Sequence, residues 1–217
     1  MTKSKTFWAA AIAWAAVVML GGCTSAHSET LHDIKPFVSG AAFITGHGGH
    51  GSGFFTSPNM VVTAGHVAGN VGDEWQITTS SGQSATGHTI WSDRGADLAV
   101  IYLSAPLAVK PMKVNCGVIS LDENLVLIGN PFDLQFVTLR VRVASDKAPP
   151  RAPFPIALVQ GLVQPGMSGG PAIDASGRVI GVVSVYLSVP DKMMGGGGNM
   201  GIGGIVPVRP YCEWLAG

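Results

Sequence analysis

The sequence predicts an all-β chain, a barrel or a sandwich built from about a dozen short strands. Three observations predict it. Short apolar or β-branched runs recur between turn signals along most of the chain. Thirty glycines and 14 prolines in 217 residues supply those turns, and no long amphipathic helical stretch is present. Val, Ile, Thr and aromatic side chains suit a pleated, half-buried surface, and strands of about four to eight residues bounded by Gly, Pro, Asn, Asp and Ser make up such folds. With 47% hydrophobic and 12% charged residues, a chain of this length buries a substantial core in one large domain or two small subdomains.

The chain opens on an address. "MTKSK" is basic, and residues 7–20, "FWAAAIAWAAVVML", form an unbroken apolar run of 14. This is the order of a secretory signal. A membrane-spanning helix needs about 20 apolar residues, and Gly21, Gly22 and the polar "TSAHSET" end this run too soon. The ending "LGGC" resembles the lipobox of bacterial lipoproteins, whose cysteine becomes the lipidated first residue of the mature chain. That resemblance implies a signal peptide over 1–22, lipidation of Cys23, and a membrane partner held through acyl chains. Residues 23–36 then read as a polar tether.

After the tether comes a first set of strand-like runs: "AAFIT", "GFFT", "MVVTA", "EWQITT", "GHTIW" and "LAVIYL". A second set follows: "LVLIGN", "FVTLRVRVAS", "IALVQG", "GPAIDASG", "RVIGVVSVYL" and "GIGGIVPV". Two sets of about six strands are compatible with a duplicated barrel. "TLRVRV" alternates with the period of two that a half-buried strand requires. "KAPPRAPFP" (147–155) reads as a proline-rich surface loop and "MMGGGGNMGIGG" (193–204) as a flexible glycine loop. The terminal "PYCEWLAG" is read as a helical turn or two.

Charge and cysteine usage exclude several functions. Without Lys3 and Lys5 the chain carries 11 basic and 13 acidic residues, so no basic stripe is left for phosphates and nucleic acid is excluded as a partner. No C-x-x-C pair or Cys/His cluster supports a zinc site, and no metal or cofactor is expected. His47 and His50 in "HGGHGSG" have no carboxylate or cysteine nearby in sequence and read as a solvated loop. An oxidising compartment permits Cys116 and Cys212 to pair.

The stretch "QPGMSGGPAI" (164–173) places Ser168 among glycines, where it is either a turn residue or a nucleophile. "GMSGG" matches the nucleophile elbow G-x-S-x-G, which needs a histidine after the serine. The histidines stand at 27, 32, 47, 50, 66 and 88, all before it, and that reading fails. The order His…Asp…Ser remains. His66 follows the apolar run in "VVTAGHVAG". Asp97 stands in "RGADLAVIYL", 31 residues on, and Ser168 comes 71 after that. Asp73, Asp93, Asp122, Asp133 and Asp146 lie in the same interval. Asp97 is preferred because the apolar "LAVIYL" follows at once, so that its carboxylate can be buried.

"TAGHV", "DLAV" and "GMSGGP" resemble the three active-site signatures of the trypsin/chymotrypsin-like serine proteases, and "GSGFF" and "IGNPF" resemble their bacterial Deg/HtrA branch. The resemblance covers about residues 39–210. It implies two antiparallel six-stranded β-barrels with the active site at their interface, a protease domain over 37–217, and barrels over about 37–115 and 116–210. It implies Ser168 as nucleophile, His66 as base, Asp97 as the residue that orients His66, and the amides of Gly166 and Ser168 as the oxyanion hole. Ser184 falls beside the triad aspartate, Tyr186 at the specificity-pocket entrance and Leu162 at its base, a set that predicts small or medium apolar preferences. Met167 replaces the aspartate that digestive zymogens use for activation, so activation by that ion pair is not expected. The resemblance also implies a Cys116–Cys212 disulfide from the interbarrel linker to the C-terminal helix. Many Deg/HtrA members carry a PDZ domain; with Gly217 last, none is expected, nor is peptide-regulated cage assembly. The expected function is an exported, lipid-anchored serine endopeptidase of the cell envelope acting on polypeptides through an acyl-enzyme. A catalytically silent binding module and an esterase on the same fold are the alternatives.

Overall fold

The computed structural model describes residues 33–150, 152–189 and 198–217, with the side chains of 185–189 and 198–200 outside that description. The signal segment, Cys23 and most of the tether lie outside the described residues. The first barrel comprises β1 (Ala41–Gly46), β2 (Gly49–Ser57), β3 (Met60–Ala64), β4 (Glu74–Thr79), β5 (Ser84–Asp93) and β6 (Leu98–Leu103). The second comprises β7 (Asn124–Gly129), β8 (Val137–Ser145), β9 (Ala157–Gln160), β10 (Pro171–Ile173), β11 (Val179–Val189) and β12 (Gly198–Pro207). Each closes on itself, in the orders β1-β2-β3-β6-β5-β4 and β10-β11-β12-β9-β8-β7. Every pairing within the barrels is antiparallel, β1 with β4 closing the first and β10 with β7 the second. Among the described residues three short helices complete the fold: α1 (Lys35–Val38), α2 (Gly65–Ala68) and α3 (Arg209–Ala216).

Side-chain alternation divides the apolar residues among three cores. On β6, Ala99, Ile101 and Leu103 point into the first barrel with Ile44, Phe55 and Ile77. Leu98 and Val100 point the other way, to an interbarrel core with Phe54, Ile128, Val182 and Tyr211. "LAVIYL" is a nearly continuous apolar run because both of its faces are buried. β8 has one wet face, and its alternating Arg140, Val141, Arg142 and Val143 send the valines into the second barrel beside Leu127 and Val183. The tether expected through residue 36 ends sooner, since Ile34, Phe37 and Val38 pack on the interbarrel core.

The interbarrel connection is fastened at the back. Cys116 and Cys212 form a disulfide with their Cα atoms 6.2 Å apart. On α3 the Tyr211 hydroxyl donates to Thr56 Oγ1 at 2.8 Å, and Trp214 stacks on Trp91 at 5.5 Å between centroids. Two loop expectations are corrected. β12 begins at Gly198 and pairs with β9 and β11, so the later part of the glycine stretch is strand. Gly203 fits there because the Val163 side chain comes so near that a Cβ would lie 2.2 Å from it. "HGGHGSG" is a tight turn followed by β2, with His50 paired to Thr45.

Candidate active site

His66 enters the interbarrel cleft on the single turn of α2, directly after β3. Its backbone N–H donates to Asp97 Oδ1 at 2.9 Å, and its ring Nδ1 lies 3.1 Å from Oδ1 and 3.0 Å from Oδ2. An ionised carboxylate only accepts, so Nδ1 carries the proton and Nε2 is left as an acceptor aimed away from Asp97. Asp97 is 4% exposed and adopts φ +52°, which aspartate tolerates better than most residues. The preceding turn is held by Asp93, whose Oδ1 accepts from the amides of Gly95 and Ala96 at 2.8 and 3.1 Å. Of the rival carboxylates, Asp93 and Asp73 serve turns and Asp122 pairs with Arg142 at the surface.

Asp97 accepts one more bond, from the Ser184 hydroxyl of β11 at 2.5 Å. Burial by itself raises its carboxyl, but the bonds from the His66 ring and Ser184, with the imidazole charge and the His66 amide, outweigh burial and hold the group below its ordinary value.

Ser168 lies on the turn between β9 and β10. Gly166 has φ +92° and Gly169 φ +88°. A Cβ on Gly166 would sit 2.3 Å from the Asn130 carbonyl oxygen, and one on Gly169 2.0 Å from that of Ser52. Backbone conformation and close approach both demand glycine here. The Ser168 hydroxyl donates to the Ser184 carbonyl at 3.1 Å, and no hydrogen bond joins it to His66. The Met167 amide bonds to Gln164, Gly169 to Val183 and Gly170 to Met167. Among the described residues, the amides of Gly166 and Ser168 have no partner. The Pro165 carbonyl accepts from Phe132 N–H at 3.1 Å; in a trans peptide this turns the Gly166 N–H to the opposite side.

A polar hub that the sequence reading missed supports this turn. Ser52 Oγ donates to the Gly166 carbonyl at 2.7 Å and accepts from Asn130 N–H at 2.9 Å and Asn130 Nδ2 at 3.0 Å. Asn130, fully buried, also donates from Nδ2 to Ala42 O and accepts from Phe136 N–H. His50 stands at the edge of the hub, its Nε2 donating to Asn130 O at 3.1 Å. Their signals were the quoted "GSGFF", "IGNPF" and "HGGHGSG", in which no role attached to Ser52, Asn130 or His50.

The specificity residues fare differently. Ser184 is buried at Asp97. Leu162 is 59% exposed and forms no pocket base, while Val163 beside it is buried against β12. The chain turns there, with Gly161 N–H on Gly201 O and Val163 N–H on Gly161 O, and this sends the odd-numbered side chain inward. Tyr186 pairs with Gly203 through the β11–β12 ladder, and its side chain lies outside the described residues.

The fold and this constellation define a two-barrel, trypsin-like peptidase domain. The trypsin-like peptidase domain family model matches residues 51–182, and the chain belongs to that family. Over 164 residues it is 34% identical to the "Probable periplasmic serine endoprotease DegP-like" of Chlamydia pneumoniae, covering 72% of this chain and 32% of that protein. The protein of the same name in Brucella suis is 33% identical over 167 residues, with 72% and 30% covered. The chain thus spans about a third of the length of these curated relatives. Among solved structures, the HtrA-type protease AlgW with tripeptide superposes with TM-score 0.72 at 20% identity, over 84% of this chain and 61% of that one. The serine endoprotease from Yersinia pestis gives TM-score 0.67 at 17% identity, over 84% and 64%.

Proposed function

We infer that the protein is a serine endopeptidase of the Deg/HtrA kind, exported to the bacterial envelope and tethered there by lipid on Cys23. One observation carries the activity: an Asp97-oriented His66 shares the interbarrel cleft with Ser168, whose turn presents two unpartnered amides. As substrate fills the cleft, the Ser168 hydroxyl turns from Ser184 O to His66 Nε2. Oγ attacks the peptide carbonyl while its proton passes to Nε2, and the Gly166 and Ser168 amides receive the oxyanion. Collapse breaks the C–N bond, and the departing nitrogen takes that proton from His66, leaving an acyl-Ser168. A water molecule then gives its proton to Nε2 and adds to the acyl carbon, restoring Ser168 as the acid product leaves. Asp97 holds the imidazole in its tautomer and offsets its transient charge. Envelope location is supported by the "periplasmic" relatives and the N-terminal apolar run; the lipid anchor rests on "LGGC".

Turnover of matched peptide and ester substrates by purified protein, with Ser168→Ala as control, tests the reading. A peptidase cleaves the peptide at an internal bond, and Ser168→Ala loses about 10⁴-fold or more. Ester turnover alone supports the esterase, and no turnover of either supports the silent module.

A further inference from the structure

Beside the Ser168–His66 pair lies a cavity of about 360 Å³ bounded by His47, His50, Val67, Trp75 and Pro165; among the described residues, none of β11 or β12 lines it. Resting on the peptidase reading above, we propose that this cavity receives the departing half of the substrate and selects an acidic side chain at the first or second residue after the cut bond. The side is fixed by two features. Beyond Val183, β11 keeps β12 on one edge while, among the described residues, no strand pairs with its β10 edge, and the Ser184 carbonyl faces Ser168. An extended peptide adds to such an edge, so one half of the substrate runs along β11 and the other crosses to the cavity. His66, which hands its proton to the departing nitrogen, lines that cavity.

The chemistry of the walls sets the preference. His50 and His47 are both exposed there, and His47 is fixed edge-on to the Trp75 ring at 4.8 Å. The Nε2 of His50 carries a proton, since the Asn130 carbonyl it meets can only accept. A second proton goes to Nδ1, making the ring a cation with a donor to spare. Among the described residues, the titratable groups of the surrounding elements are His66, whose partner Asp97 is buried behind it, Glu74, and Asp133, which stands exposed on the loop bonded to Pro165 but does not line the cavity. Glu74 precedes Trp75 on β4, so alternation points it away from the cavity, and it faces His88 at 3.9 Å. Among the described residues no carboxylate lines the cavity. Its field is therefore neutral when the imidazoles are neutral and positive when they charge, a change imidazole makes between about pH 5 and 8. Trp75 and Val67 supply apolar surface for the stem of a glutamate.

The test uses quenched peptides identical except for Glu or Gln at the first or second residue after the cut bond, with kcat/KM measured from pH 5.5 to 8. The ratio of the two cancels every pH effect on the chemical step that both peptides share, and the substrate carboxylate is ionised throughout. The Glu:Gln ratio should be about three- to fivefold near pH 5.5–6 and approach one by pH 8. His50→Gln and His47→Gln should each flatten the profile, and His47, outside the Asn130 hub, keeps the test open if His50→Gln does not fold. A ratio at or below one across the range, or a profile unchanged in His47→Gln, overturns the subsite while leaving the peptidase reading in place. Failure to cleave either peptide overturns both.

Discussion

Replacing Ser52 by alanine isolates the hub beneath the oxyanion turn. Ser52 is 1% exposed and makes three hydrogen bonds, one to Gly166 O and two from Asn130. The Asn130 side chain keeps Ala42 O, but its backbone N–H loses its acceptor inside the protein. A net hydrogen bond is worth about 1 kcal/mol, and a buried group left unpaired costs about 1–3 kcal/mol. The substitution should therefore destabilise by about 2–4 kcal/mol, a fall in Tm of about 5–15 °C for a domain of this size. The same change frees the Gly166 carbonyl and loosens the turn that carries both oxyanion amides. Deleting one oxyanion donor outright costs about 10²–10³ in kcat; loosening it should cost about 10–10², with a smaller effect on KM. Calorimetry and steady-state kinetics well below Tm separate the two effects. Normal kcat in the folded, destabilised variant would refute the claim that Ser52 positions the turn, and an unchanged Tm would refute the hub itself.

The disulfide and the buried carboxylates give further expectations. Cys116→Ser with Cys212→Ser opens a crosslink spanning 96 residues of sequence, and thermal melts should show a loss of up to about 4–5 kcal/mol. Unchanged melting in the double variant would show that the linker and α3 hold together by packing alone. Asp97 and Asp174 are both buried with lowered pKa values; for each, burial raises the carboxyl and is outweighed by bonds, in Asp174 from Ser176, Arg178 and Asn115. A carboxyl depressed in the fold stabilises fully above its ordinary value of 3.8 and loses that contribution as pH falls through the folded value. Stability to denaturant should thus be lost below about pH 4, and Asp174→Asn should shrink that acid-dependent part; the same acid profile in Asp174→Asn would count against its share.

Strands with a definite side-chain pattern were legible in the sequence. "TLRVRV" and "LAVIYL" revealed β8 and β6 because one or both faces are buried, and the order of His66, Asp97 and Ser168 brought together the cleft. What escaped depends on close approach rather than period. Gly198 to Gly204 carry few side chains to alternate; Gly203 is strand through its pairing with Tyr186 and Val159, and it is glycine because Val163 occupies the space of its Cβ. Leu162 and Val163 are adjacent apolar residues, and only the turn at Gly161 decides which faces inward. The Ser52–Asn130 hub joins residues 78 apart in sequence, one from each barrel, a separation no local pattern encodes. His50 read as loop because its partner, the Asn130 carbonyl, is a backbone atom of the other barrel.

The central claim is that Ser168, activated by His66, is the nucleophile of this cleft. Labelling the purified protein with a fluorophosphonate probe and mapping the modified peptide tests it most directly. The account predicts one adduct per chain, on Ser168 within "QPGMSGGPAI", formed slowly in His66→Ala and absent in Ser168→Ala. An adduct on another residue, or no adduct on protein that cleaves peptides, would contradict it.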